Sequence, residues 1–185
     1  MMNWNNQIDK TTEEFSHLFG SLTSDQLNWK PNPQTWSIAQ NIDHLIVVNQ
    51  SYYPILGDLK RGSHKLPFIG RIGFVVSLLG KLLLDAVQPD RKKKIKTFPI
   101  WEPSESQISG DILERFANHQ SELKKLINES SDFIRKGTVI SSPANRNIVY
   151  KLETAFDIIV AHEQRHLEQA KEIFELQKKS IGLPQ

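Results

Sequence analysis

Apolar residues recur at steps of three and four from the start of the chain: Trp4, Ile8, Phe15, Leu18, Phe19 and Leu22, with Thr11 or Thr12 filling the gap. That spacing predicts an amphipathic helix of about five turns. It should end at Gly20, and the KPNPQT stretch (30–35) should be a loop, because Pro31 and Pro33 lack the amide hydrogen that a helix interior needs. A second helix opens at Ser37, where Ser37 and Gln40 make a capping box that satisfies two orphan backbone donors. It continues through Ile38, Ile42, Leu45, Ile46, Tyr52, Leu56 and Leu59, with a kink expected at Pro54. A third begins near Ser104, with another box at Ser104–Gln107, and carries Ile108, Ile112, Phe116, Leu123 and Leu126 on one stripe. A fourth runs from about Tyr150 to Lys178. Its stripe is Leu152, Ala155, Phe156, Ile159, His162, His166, Ala170 and Ile173. Alternation of period two is confined to TVI (138–140). The expected fold is all-α: one domain over 1–185, a four-helix bundle with a long helix-containing crossover, 61–103, between the second and third main helices.

Within the crossover, FIGRIGFVVSLLGKLLLDAV (68–87) approaches the length of a membrane span. Arg71, Lys81 and Asp85 interrupt it, and the longest charge-free run, Ile72 to Gly80, is nine residues, too short to cross a bilayer. A helix packed on the protein is the expected outcome, so a membrane is not an expected partner. The RKKKIK run (91–96) leaves peripheral lipid contact through 68–96 as the alternative.

Composition removes several chemistries. The 185 residues contain no Cys, which excludes disulfides, thiolate metal sites and a cysteine nucleophile, so a transition-metal site must use His, Asp or Glu. The net charge of +2 gives no reason to expect a nucleic-acid partner. The opening MMNWNNQIDK shows no basic segment followed by an apolar core, so the expected location is the cytoplasm.

The fourth helix carries AHEQRH (161–166), an H-E-x-x-H pattern in which His162 and His166 project from one helix face, one turn apart. Their stripe faces the bundle, where two imidazoles without partners would be costly. Zinc proteases of this signature take a third ligand from downstream. Only Glu168, Glu172 and Glu175 follow, on the same helix, and no strand is available to align a peptide, so a protease is not expected. The third ligand must come from upstream. His17 reads as a helix-flank residue and His64 as a solvated crossover residue. His119 lies on the stripe 112–116–119–123–126 and reads as a core or pocket histidine, while His44, near the start of a helix beside the fourth, is best placed. Glu163 is the candidate catalytic residue. At 100° per residue it points about 80° from the mean direction of the two histidines. It can therefore act as base on a water held by the metal, or face a neighbouring helix and pair with a basic side chain. The second fate is the expected one.

TWSIAQNIDHL (35–45) together with AHEQRHLEQ (161–169) resembles the DinB/YfiT-like superfamily, and the element order matches over nearly the whole chain. The resemblance implies a four-helix bundle with metal ligands His44, His162 and His166, zinc or nickel as the metal, and a homodimer. The 61–103 crossover is longer than the family pattern. Family activities include transfers and isomerisations that depend on low-molecular-weight thiols such as bacillithiol or mycothiol, and many members are assigned as metal-dependent hydrolases. The implied function is a divalent-metal-dependent enzyme acting on a small molecule, either a thiol-dependent S-transferase or a hydrolase. The rival is a non-catalytic metal- or ligand-binding bundle, stress-related in role. Three neutral imidazoles leave a position open for water, substrate or a thiol. Trp36, Tyr52, Tyr53, Trp101 and Phe116 are candidate pocket residues, and Gln169 is a candidate to orient the His166 ring.

Overall fold

The computed structural model of the chain describes residues 3–90, 97–103 and 105–180. Its helices are α1 (Trp4–Phe19), α2 (Ser24–Asn28), α3 (Ile38–Gln50), α4 (Tyr53–Arg61), α5 (Gly73–Val87), α6 (Ile112–Glu129), α7 (Ser131–Arg135) and α8 (Leu152–Ser180). The long ones make the bundle: α1 and α3 each pack against both α6 and α8. A two-stranded antiparallel hairpin, β1 (Val139–Ser141) with β2 (Val149–Lys151), pairs Ile140 with Tyr150 and leads directly into α8.

Local chemistry explains most of these boundaries. The Ser37–Gln40 box forms in both directions: Gln40 N donates to Ser37 Oγ at 3.1 Å and Ser37 N to Gln40 Oε1 at 3.2 Å. The second helix does not kink at Pro54. It stops at Gln50 and restarts as α4, with Pro54 in the first turn, where its missing amide hydrogen leaves no bond unmade. The third helix starts at Ile112, later than expected, and Ser104 of the proposed capping box lies outside the described residues. Ile108 is buried, but its backbone is engaged elsewhere. Its N–H donates to Asn28 Oδ1 and its carbonyl accepts from Asn28 Nδ2, both at 2.8 Å. Those bonds tie the segment to α2 and hold it out of a helix. Tyr150, expected in the fourth helix, belongs to the hairpin instead.

The crossover helix α5 lies along α8 and β2. A Cβ at Gly80 would stand 3.2 Å from Tyr150 Cβ and Thr154 Cγ2, so glycine allows the close approach. At the far end of α5, Arg165 Nη1 donates to the Ala86 and Gln88 carbonyls, which a helix C-terminus leaves without partners.

The core is divided. One apolar cluster holds Trp4 and Ile8 of α1, Leu56 and Leu59 of α4, Leu123 and Ile127 of α6, and Leu152, Ala155, Phe156 and Ile158 to Val160 of α8. The other holds Phe15 and Phe19 of α1, Ile38, Ala39, Ile42, Leu45 and Ile46 of α3, Ile112 and Phe116 of α6, and Leu167, Ala170 and Ile173 of α8. Between them every main helix contributes buried polar side chains at one level: Thr11, His44 and Asn49, His119 and Gln120, Glu163 and His166. Burying so many polar groups is unfavourable unless they bond to one another or to a ligand. That layer contains the candidate site.

Candidate metal centre

His44 and Asn41 are three residues apart on α3 and therefore share the face that meets α8, where His162 and His166 share a face in turn. The three imidazoles converge through Nε2. His162 Nε2 is 3.0 Å from His166 Nε2 and 3.4 Å from His44 Nε2, and the three donor atoms lie within 4.8 Å of one another. Trp36 covers the group, its ring 4.8 Å from that of His44 and stacked at 6.0 Å on that of His166. His44 and His166 are buried, while His162 remains partly exposed.

The opposite ring nitrogens decide which protons are present. His44 Nδ1 bonds to the Trp101 carbonyl, an acceptor, so that nitrogen carries the hydrogen. His166 Nδ1 is 2.8 Å from Asn41 Oδ1. The Asn41 amide is oriented by its own Nδ2, which donates to the Ser37 carbonyl at 2.8 Å, so His166 Nδ1 also donates. Both Nε2 atoms therefore present lone pairs to His162. Burial keeps the rings neutral: it pushes the His44 pKa down to about 4, against weaker opposing effects of the Trp101 carbonyl and Asp43. Burial first, then the neighbouring rings and Arg165, holds His162 and His166 well below the ordinary histidine value.

Three neutral nitrogens facing one point fit a cation. A single proton on His162 Nε2 can satisfy one of its two neighbours, and the other lone pair is left without a donor. Tetrahedral zinc, with Zn–N bonds of 2.0–2.1 Å, would separate its nitrogens by about 3.3 Å, and the two observed separations bracket that value.

Other candidates fall elsewhere. His17 is exposed and His64 is half-buried in the crossover, so the expectation of a solvated His64 is corrected. His119 is buried in the polar layer without joining the trio. Its Nδ1 meets Tyr53 Oη at 3.1 Å and its Nε2 has no partner among the described residues. Glu163 faces α3 and α6 as the second of its two fates required, but its partners are amides rather than a basic side chain: Asn49 Nδ2 and Gln120 Nε2 each donate to it at 2.8 Å. Burial raises its pKa to about 7 against the lowering effect of those two bonds. Both carboxylate oxygens are thus engaged away from the histidines. The place suggested for Gln169 is occupied by Asn41. Of the aromatic candidates, Trp36 and Trp101 border the site, and the Trp101 indole is anchored by donation to Ser51 Oγ at 3.2 Å. Tyr52 bonds Tyr150 in the apolar core, Phe116 packs on Phe15, and Tyr53 serves His119. Spacing alone did not single out Asn41 or the Trp101 carbonyl. Asn41, three residues before His44 on the same helix face, was the one available signal. A separate cavity of about 480 Å³ between α1 and α8, lined by Lys10, Glu14, Gln164 and Glu168 among others, includes none of the histidines.

Comparison with known proteins agrees with this architecture. The chain is 27% identical over 166 residues to the uncharacterized protein YuaE of Bacillus subtilis (strain 168), covering 88% of this chain and 91% of that protein. The fold is similar to that of YfiT from Bacillus subtilis, described as a probable metal-dependent hydrolase with an unusual four-helix bundle topology. The TM-score is 0.52 at 13% identity, covering 98% of this chain and 87% of that one. Residues 7–170, which include α3, α6 and the histidine-bearing part of α8, match the DinB superfamily, and the chain belongs to that family.

Proposed function

We propose that this protein binds one divalent metal, zinc or nickel, through His44, His162 and His166 and uses it in a reaction on a small molecule. The observation that carries the reading is the convergence of three Nε2 atoms on one point, two of them left as lone pairs by Nδ1–H bonds to Trp101 and Asn41. A divalent ion in that donor set supplies Lewis acidity and polarises whatever oxygen or sulfur occupies its remaining position. The chain's own residues prepare the place. Asn41 and the Trp101 carbonyl hold the tautomers of His166 and His44, and Trp36 limits water over both rings.

Hydrolysis is the reaction class suggested by the description of YfiT. Transfer to a low-molecular-weight thiol is the second reading, and two observations favour it. The chain has no Cys of its own to act as a nucleophile, and Glu163 is sequestered by two amides rather than placed as a base. Metal analysis of freshly purified protein should find about one divalent ion per chain. Replacing any of the three histidines with Ala should remove most of it, while His17→Ala should not. Full occupancy in His44→Ala protein would overturn the ligand set. Panels of small esters and amides, and of electrophiles with added thiols, then separate hydrolysis from transfer. Metal-loaded protein inactive on every panel, and closed to added thiols, would favour a structural metal.

A further inference from the structure

We infer that Ser51 is a positioning residue for the metal site, acting through Trp101 on His44; the inference rests on the metal reading proposed above. Gln40, His44 and Ser51 follow one another at steps of four and seven along α3 and its C-cap. At 100° per residue they fall within about 40° of one another on one helix face. The far end of the crossover runs along that face. Gln40 Nε2 donates to the Glu105 carbonyl at 3.1 Å, His44 Nδ1 to the Trp101 carbonyl, and Trp101 Nε1 to Ser51 Oγ at 3.2 Å. Trp101 therefore spans His44 and Ser51, about 10 Å apart along the helix axis. Its backbone meets the histidine and its indole meets the hydroxyl.

The direction of each bond gives Ser51 this role. Its hydroxyl hydrogen goes to the Val48 carbonyl, one of the last four carbonyls of α3, so an Oγ lone pair is turned to accept from the indole. Among the described residues, the other backbone bonds of this turn, Trp101 N to Phe98 O and Glu102 N to Pro99 O, are local to it. Phe98 and Ile100, beside Trp101, are exposed. The indole bond is thus what ties the Trp101 carbonyl to the bundle independently of His44. That tie matters because a neutral imidazole can carry its proton on either nitrogen, and only the Nδ1–H form leaves the His44 Nε2 lone pair for a metal. A carbonyl free to follow the ring would select neither form nor direction, whereas one held from Ser51 selects both. Val48, Ser51, Trp101 and His44 make one chain of hydrogen bonds that leaves α3 at its C-terminus and returns to it two turns earlier.

The test is competition titration of the purified full chain with zinc and a chromophoric chelator, beside nitrogen-15 spectra of the metal-free protein. Ser51→Ala removes the acceptor, and Trp101→Phe removes the indole N–H while keeping the backbone carbonyl. Each should lower zinc affinity about three- to tenfold, less than the loss of a partner that touches the ligand itself, with the far-UV signal unchanged. The double variant should lose no more than the weaker of the two single variants, because both substitutions cut the same bond. Ser51→Thr keeps a hydroxyl and should retain wild-type affinity. In the metal-free wild type the His44 ring nitrogens should report the Nδ1–H form, and in both single variants they should move toward the average of the two tautomers. Wild-type affinity in Ser51→Ala and Trp101→Phe, additive losses in the double variant, or a Ser51→Thr protein as weak as Ser51→Ala would overturn the assignment. Wild-type protein that takes up no zinc would overturn the metal reading instead. The His44 signals then decide the role of Ser51 by themselves, and unchanged signals in both single variants would end it.

Discussion

Asn41 and His166, 125 residues apart in sequence, are joined by a 2.8 Å hydrogen bond that sets which nitrogen of the ring carries its proton. Partners of this kind orient ligand imidazoles, and their loss typically weakens metal binding 10–100-fold. Asn41→Ala should therefore lower metal affinity by about that factor while the far-UV spectrum stays unchanged. Asn41→Asp retains an acceptor facing Nδ1–H and should keep most of the affinity. Competition titration with a chromophoric chelator measures both. Equal affinity in wild type and Asn41→Ala would show that the bond does not orient the ligand.

Glu163 offers a separate test. In the metal-free protein its pKa is raised to about 7, above the usual carboxylate value of 4.5. A raised acid binds its proton more tightly in the folded state. Its contribution is present below 4.5 and is lost as pH rises through 7. Glu163→Gln removes that loss. Asn49 Oδ1 and Gln120 Oε1 have no partner among the described residues, and turning one of these amides over lets it accept from the new NH2 while the other still donates to the new carbonyl. Denaturant unfolding of the metal-free proteins should show the variant matching or exceeding wild type at pH 8, with the advantage absent near pH 4. The same variant should retain metal and lower any measured turnover by less than about a hundredfold, at or below the low end for a general base. A larger fall with metal and fold intact would make Glu163 the base and favour hydrolysis.

His119 shifts in the opposite direction. Burial lowers its pKa from 6.5 to about 4, so its neutral form is the one the fold tolerates. A depressed histidine leaves stability intact above pH 6.5 and withdraws it as pH falls toward 4, because the unfolded chain takes up the proton first. His44 behaves alike, and also has its pKa lowered to about 4. Metal-free wild type should lose stability across that window. His119→Gln, which cannot titrate, should lose less, by on the order of 1–3 kcal/mol at pH 4. Parallel pH profiles for the two proteins would refute the assignment.

Removal of the metal should leave the bundle standing. Apolar clusters lie on both sides of the polar layer: one draws on α1, α4, α6 and α8 and the other on α1, α3, α6 and α8. Chelation should preserve the far-UV helical signal while lowering the midpoint of thermal unfolding, since a ligand bound only by the folded state stabilises it by mass action. Collapse of the helical signal on chelation would instead mean that the metal holds the fold together.

Much of this architecture was determined by local sequence. Apolar residues at steps of three and four define α1, α3, α6 and α8, because one face of each helix must leave water. Ser37 and Gln40 start α3 through bonds that span three residues, and Pro54 prevents α3 and α4 from being one helix. His162 and His166 share a face by helical geometry alone. Only the tertiary structure decided the rest. The late start of α6 depends on Asn28, 80 residues away, which takes both backbone groups of Ile108. The hairpin that claims Tyr150 needs the partner strand Val139–Ser141. Helical spacing gave Glu163 a direction, but its amide partners came from Asn49 on α3 and Gln120 on α6. Likewise, no pattern within α8 could place the Asn41 amide or the Trp101 carbonyl against the imidazoles. Helical periodicity is carried by neighbours within a turn or two. The polar layer depends on which levels of four separate helices meet, and packing alone sets that.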